Sequence, residues 1–163
     1  MTPQDFVAAM KRAVAGVSVV TTDGVAGRFG ITVSAFSSVS AEPPMVLACV
    51  NRRSPVCAAI RANGVFSVNL LAAQHAPVAD MFAGRPREGA AFDFGAHRWR
   101  VAGANACPLL EDALAAFHCR LHAATDAGSH TVFIGAVLDT LASSHVPLAY
   151  TAQRYARPEF LEL

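Results

Sequence analysis

Between Ile31 and Ser54 the sequence concentrates groups that can do chemistry. Hydroxyls at Thr32, Ser34, Ser37, Ser38 and Ser40 are dense for so apolar a stretch. On a strand, Thr32 and Ser34 point the same way. Asn51-Arg52-Arg53-Ser54-Pro55 then sets two guanidinium groups just ahead of a helix start. Ser54 is a good N-cap and Pro55 a good first helical residue. A helix N-terminus offers free N–H groups and a partial positive charge. Arginine adds a planar fork matched to phosphate oxygens. Together these groups suit an anionic ligand such as a phosphate monoester. The same residues also fit a solvated sheet face, an ordinary helix start and two surface arginines, and composition does not choose between the two readings.

Other chemistries find less support. The four cysteines, Cys49, Cys57, Cys107 and Cys119, show no C-x-x-C spacing and read as small buried thiols. In His118-Cys119-x-x-His122 a regular strand would point Cys119 away from both histidines, and four tetrahedral ligands are not evident, so no metal site is expected. The chain carries no G-x-x-x-x-G-K-[ST] loop, no G-x-G-x-x-G and no G-x-S-x-G elbow.

The elements that must position these residues are mostly strands. A helix begins at Thr2-Pro3, with Asp5 in its first turn, and sets Phe6, Val7, Met10 and Val14 on one face before Gly16 ends it. Val17 to Thr22 alternates and is β-branched, and Asp23-Gly24 turns the chain. Gly30 to Ser40 reads as a strand with a change of direction inside it, closed by Pro43-Pro44. Met45 to Asn51 is a short apolar run, expected as a fully buried strand. A short helix follows Ser54-Pro55 with Val56, Ala59 and Ile60 inward. After it come a strand over Val65 to Leu71 and a helix over Ala76 to Phe82. Ala83 to Ala106 is rich in loops, broken by Gly84, Gly89, Gly95 and Gly103, with one short strand around Trp99 and Val101. Strands over Ala115 to Ala123, His130 to Leu141 and Pro147 to Thr151 complete the chain, the first two joined at Gly128. Short strands at close spacing suggest a small antiparallel barrel with helical decorations, though spacing alone does not separate a barrel from a sandwich.

Composition limits what such a domain does. The 163 residues fit one domain. Apolar residues make up 53% and charged residues 15%, against about 25% charged in a typical soluble domain. Thirteen Lys+Arg against 12 Asp+Glu leave a net charge of +1 and no basic stripe, so nucleic acid is not an expected partner. The longest purely apolar run, Met45 to Val50, is far short of the ~20 residues a spanning helix needs. The opening Met-Thr-Pro-Gln-Asp has no signal-peptide pattern, so the expected compartment is the cytoplasm. A chain so poor in charge is expected to hide surface against a partner subunit or a large ligand.

Several segments carry a family resemblance: Ala15-Gly-Val-Ser-Val-Val-Thr-Thr, Thr32-Val-Ser-Ala-Phe-Ser-Ser-Val-Ser, Pro43-Pro-Met-Val-Leu and Val50-Asn-Arg-Arg-Ser. Phe82-Ala-Gly84, Cys119-Arg120, Gly128-Ser-His130 with Gly135 after it, and Pro147-Leu-Ala-Tyr with Arg154-Tyr155 follow in order. This ordered set resembles the flavin reductase family, the small reductases of two-component flavin-dependent monooxygenases. The resemblance covers nearly the whole chain. It implies a mainly β, FMN-binding split β-barrel, antiparallel and Greek-key-like with a few short helices, as a single domain over residues 1–163. It further implies a homodimer that uses NADH or NADPH to reduce FMN or FAD and passes the reduced flavin to an oxygenase. By resemblance, Thr32, Val33, Ser34 and Ala35 line the ribityl chain and ring edge, and Cys49, Val50 and Asn51 contact the flavin from the next strand. Arg53 and Ser54 hold the phosphate, Phe82 and Gly84 close the cofactor side, and Arg154 and Tyr155 touch nucleotide. His130 belongs to the family's Gly-Asp-His motif, associated with the nicotinamide, and here Ser129 replaces the aspartate with a neutral hydroxyl. Two other functions remain compatible with the barrel: a flavoprotein that keeps FMN and turns over another substrate, and a non-catalytic flavin-binding or redox-sensing module.

Overall fold

The structure, a computed structural model, describes residues 1–102 and 107–162. Its frame is a seven-stranded antiparallel sheet in the order β3-β2-β6-β9-β10-β5-β4. The strands are β2 (Ser18–Thr22), β3 (Phe29–Val33), β4 (Phe36–Ala41), β5 (Pro44–Asn51), β6 (Val65–Leu70), β9 (Ala115–Ala127) and β10 (His130–Ala142). The chain passes from one edge of this sheet to the other in two residues, Ser34 and Ala35, between β3 and β4. Such a step is possible only if the sheet curls until its edges meet. The Cys49 N–H accordingly donates to the Ala35 carbonyl at 3.0 Å, and β3 comes against β5. The barrel is closed there by the crossing chain and not by a continuous ladder, which leaves β3 as an edge strand.

Two smaller sheets flank the barrel. One pairs β1 (Ala15–Gly16) with β11 (Ala149–Thr151) and β11 with β12 (Arg154–Ala156); the other pairs β7 (Trp99–Ala102) with β8 (Cys107–Leu110). Among the described residues, three α-helices, α1 (Pro3–Met10), α2 (Pro55–Asn63) and α3 (Ala76–Phe82), and a short 3-10 helix over Ala73–His75 complete the fold. Ser54 caps α2 through the Val56 N–H at 3.3 Å, and Gly64 ends it in a left-handed conformation. Val56, Ala59 and Ile60 face inward as the spacing predicts. The barrel interior gathers Val20, Val46, Ala48, Val50, Phe66, Val68, Cys119 and Phe133. A second core between the barrel and α3 holds Val19, Leu71, Phe82, Leu109 and Leu110.

Four sequence expectations are corrected. The first helix stops at Met10, not near Gly16, and none of its residues is buried, so Phe6, Val7, Met10 and Val14 stay exposed. Met45 to Asn51 is not fully buried: β5 turns only Val46, Ala48 and Val50 inward, and its other face stays partly open. β8 and β12 were not anticipated as separate strands. In β9 the alternation breaks at a bulge, where Ile134 pairs with Ala123 and Gly135 with Leu121 and His122 is left out. His118 is buried while His122 is exposed. Of the glycines expected to break the loop region, Gly103 lies outside the described residues.

Candidate active site

The open edge of β3 organises the site. The Val17 carbonyl accepts from the Leu71 N–H at 2.9 Å, on the β6 side of β2. By alternation, Ser18, Val20 and Thr22 direct their peptide groups towards β3, where they meet Val33, Ile31 and Phe29. The peptide groups of Gly30 and Thr32 are therefore turned to the open side. Gly30 lets α3 come close: a Cβ there would lie 2.7 Å from the Phe82 ring and 3.1 Å from Phe94. One residue pair further along, Thr32 Oγ1 donates to the Ala79 carbonyl of α3 at 2.8 Å. Its hydroxyl is thus already partnered, and it fixes β3 against the helix. Thr32, Val33 and Ser34 line a cleft of about 170 Å³ together with Arg85, Tyr150 and Tyr155.

The β5–α2 turn supplies the anion-binding elements. Asn51 Oδ1 accepts from the Arg53 N–H at 2.9 Å and shapes the turn. The two arginines separate in role. Arg52 leans on the β9–β10 turn, donating to the Gly128 carbonyl at 3.4 Å and pairing with Asp126 at 3.5 Å. Arg53 is exposed, and its guanidinium makes no ion pair among the described residues. A positive group therefore stands uncommitted beside the N-terminus of α2.

His130 opens β10 directly opposite Asn51 of β5. Ser129 Oγ lies 2.9 Å from His130 Nδ1, and the Ser129 carbonyl accepts from the Arg52 N–H at 3.0 Å. The histidine and the arginine turn are thus laced together although 79 positions separate Asn51 from His130. The hydroxyl that replaces the motif's carboxylate holds the ring without adding charge.

Not every expected contact lies on the open surface. Val50 is fully buried in the barrel core, so its side chain cannot reach a ligand; Cys49 and Asn51 lie on the opposite face of β5 and are partly exposed. Phe82 is also fully buried, with its ring edge-on to Phe94 and Trp99 at 4.9 and 5.6 Å. It shapes the wall from behind, whereas Gly84 at the end of α3 is exposed and has a φ of 76°. Ser34 and Ala35 are exposed at the crossing. Arg154 is exposed, while Tyr155 turns inward and donates its hydroxyl to Asp80 Oδ1 at 2.7 Å. Burial first, and then Asp80, push the Tyr155 hydroxyl up to about 12. Asp80 is itself nearly buried and also accepts from Arg87 Nε at 3.2 Å. This Asp80–Tyr155 tie escaped sequence reasoning, because 75 positions separate its partners. So did the aromatic pair Phe92 and Phe94, whose only signal is their spacing in a glycine-rich loop.

The geometry agrees with what the chain is similar to. A flavin reductase like domain matches residues 10–159. The chain is 44% identical to the FMN reductase (NADH) RutF of Variovorax paradoxus over 152 residues, 93% of this chain and 83% of that protein. It is 40% identical to the protein of the same name from Escherichia coli over 135 residues, 82% and 80% of the two chains. Among solved structures it superposes on the flavin reductase PheA2 with a TM-score of 0.87 at 28% identity, covering 98% of this chain and 100% of that one. It superposes on the NADH:FAD oxidoreductase SgcE6 of Streptomyces globisporus, solved with NAD and FAD fragments, with a TM-score of 0.86 at 28% identity, covering 98% and 96%. The domain match over residues 10–159 and relatives 44% and 40% identical over most of their lengths show that the chain belongs to the flavin reductase like family.

Proposed function

We propose that this chain transfers a hydride from NADH or NADPH to FMN or FAD and releases the reduced flavin to a separate oxygenase. The overall change is balanced: the reduced nicotinamide gives up a hydride, one proton comes from solvent, and the flavin gains both. The observation that carries the reading is the uncommitted Arg53 beside the capped N-terminus of α2, one strand pair away from His130. A bound flavin supplies its own hydride-accepting ring, so the reaction needs no protein nucleophile.

The chain's residues then bind and orient. Arg53 and the first N–H groups of α2 hold the phosphate. Thr32, Val33, Ser34 and Ala35 supply the open strand edge and the crossing, and Cys49 and Asn51 supply the adjoining face of β5. Gly84 lets the Phe92 ring pack against the end of α3, Tyr155, steadied by Asp80, walls the cleft, and the exposed Arg154 precedes it in the chain as a further nucleotide contact. His130 positions the nicotinamide and keeps one face of the site accessible to it. Backbone N–H groups turned to the open side of β3 can meet the charge that builds on the reduced ring.

The names of the relatives favour NADH and FMN. One structural neighbour is the reductase component of a two-component tryptophan halogenase, and another is component B of a nitrilotriacetate monooxygenase. These favour a partner oxygenase here. The chain is further read as one domain over residues 1–163, acting in the cytoplasm as a homodimer. The exposed Phe6, Val7 and Met10 of α1 and the half-open face of β5 supply apolar surface for a second copy. The four free thiols suit a reducing compartment. Among the described residues no helix is long and apolar enough to cross a membrane.

The test is NADH oxidation with and without added FMN or FAD. The rate should rise as free flavin is added. Purified protein that oxidises neither NADH nor NADPH at any flavin concentration would end the enzyme reading and leave a flavin-binding module. Sedimentation should give a mass of about twice 17.1 kDa.

A further inference from the structure

Asp80 is the only buried carboxylate among the described residues, at 9% exposed. A carboxylate taken out of water needs partners for its oxygens. Asp80 has one on each. The Tyr155 hydroxyl donates to Oδ1 at 2.7 Å, and Arg87 Nε donates to Oδ2 at 3.2 Å. Neither partner belongs to α3: Arg87 lies in the loop that follows the helix, and Tyr155 lies in β12. The two arms are unequal. The Arg87 side chain is 75% exposed, so solvent screens its pairing. The Tyr155 arm is the shorter one, and its partner is partly buried.

Little else holds β12. It is the outer strand of a three-stranded sheet that stands apart from the barrel sheet. The root of the β11–β12 hairpin is bonded from the Leu148 N–H to the Leu71 carbonyl at 2.9 Å, and its turn from the Ala152 N–H to the Lys11 carbonyl at 2.8 Å. Tyr155 packs beside the second core and against Tyr150, which places its ring. Among the described residues the Asp80 contact is the only side-chain hydrogen bond that β12 makes. Ala79 and Asp80 thus act together. The Ala79 carbonyl accepts from Thr32 Oγ1 at 2.8 Å and fixes β3, while the Asp80 carboxylate takes the Tyr155 hydroxyl and fixes β12. Thr32 and Tyr155 both line the cleft. Two consecutive residues of one helix therefore set the spacing between two of its walls. The Asp80 carbonyl also accepts from the N–H of Arg85, a third lining residue, at 3.0 Å.

We propose that Asp80 clamps β12 to α3 through Tyr155 and so fixes the width of the cleft, as a positioning residue for hydride transfer. The clamp deepens the reductase reading and rests on it for the reaction it serves. What it needs from Asp80 is an acceptor oxygen; the charge is secondary, because its cationic partner Arg87 is exposed. Asparagine keeps that oxygen and alanine does not.

Asp80→Ala, Asp80→Asn, Tyr155→Phe and the double variant Asp80→Ala/Tyr155→Phe are compared with wild type. The measurements are amide hydrogen exchange of the β11–β12 hairpin without ligand, alkaline titration of phenolate absorbance, and kcat and KM for NADH at saturating FMN. Thermal melts check that each variant folds. Tyr155→Phe breaks the same bond without touching α3, so it carries the test if Asp80→Ala does not fold. In both single variants the hairpin should exchange faster, and kcat should fall about tenfold, within the ~10²-fold that a misplacement of about 1 Å costs. Asp80→Asn should restore exchange and kcat, while its late phenolate step moves to lower pH because the carboxylate's charge is gone. The double variant should lose no more than either single one. Additive losses, an Asp80→Asn as slow as Asp80→Ala, a change confined to KM, or unchanged exchange in Asp80→Ala and Tyr155→Phe would each overturn the proposal. Wild type that oxidises neither NADH nor NADPH would remove the reductase reading, and exchange alone would then decide whether the clamp stands.

Discussion

Arg53→Ala tests the anion site most directly. Arg52 and Arg53 are neighbours of the same type, yet only Arg52 is held, by Gly128 and Asp126. Removing the Arg53 side chain therefore breaks no ion pair or side-chain hydrogen bond among the described residues and should leave the melting temperature almost unchanged. A charge-assisted hydrogen bond is worth ~1.5–3 kcal/mol. Arg53 is exposed, so solvent screening favours the lower half of that range. At ~1.4 kcal/mol per factor of ten, the FMN dissociation constant should rise by about 10- to 40-fold. The assay is a fluorescence titration with FMN and, in parallel, with riboflavin, which has no phosphate. Riboflavin binding should be indifferent to the substitution. Arg52→Ala should cost FMN less than ~1 kcal/mol, the usual worth of an exposed pair. The reasoning is refuted by an unchanged FMN constant in Arg53→Ala, or by an equal loss for riboflavin.

The remaining expectations concern the histidine, the tyrosine tie and the strand–helix contact. His130→Ala should raise the Michaelis constant for NADH more than that for flavin, and Ser129→Ala should act in the same direction but less, having lost only the contact at Nδ1; equal effects on both substrates would make His130 a purely structural residue. The Tyr155 hydroxyl, raised to about 12 by burial and by Asp80, favours its neutral form in the fold. Its contribution is complete below the ordinary tyrosine value of about 10 and is lost as pH rises through about 12. An alkaline titration of phenolate absorbance should therefore show a late step that Tyr155→Phe removes. Gly30→Ala puts a methyl group 2.7 Å from the Phe82 ring and should lower stability by ~1–3 kcal/mol, read as a lower denaturation midpoint; an unchanged midpoint would mean that α3 is not pressed against β3.

The sequence was most legible where one residue type has one local cause. Ser54-Pro55 starts a helix, Gly128 turns the chain, and β-branched residues mark β2, and each stands where expected. Alternation failed at His122, because a bulge depends on the partner strand and leaves no mark on its own residues. Val50 and Phe82 illustrate a second limit. Both sit in family motifs beside ligand-facing residues, but a strand's neighbours point to opposite faces, and only the closed barrel shows which face is core. The exposed face of α1 illustrates a third. Phe6, Val7 and Met10 are spaced for burial, yet in the fold each keeps about half of its surface exposed, so periodicity marks a face without saying how far it is covered.

The hydroxyl-rich segment from Thr32 to Ser40 shows why the chemistry was easier to locate than to assign. Read alone, it is a polar strand that bends. In the fold, the bend is the crossing from one edge of the sheet to the other, and that crossing leaves the Gly30 and Thr32 peptide groups without a neighbouring strand. The polar capacity of the site therefore resides largely in the backbone, which no residue type announces. Thr32 makes the point: its hydroxyl is spent on the Ala79 carbonyl, and what it contributes is the position of β3 against α3. A reaction whose reactive atoms belong to the bound molecules needs such a scaffold more than it needs titrating side chains. The site offers the unpaired guanidinium of Arg53, the exposed ring of His130 and a strand edge, groups that suit a surface for binding and aligning two flat rings.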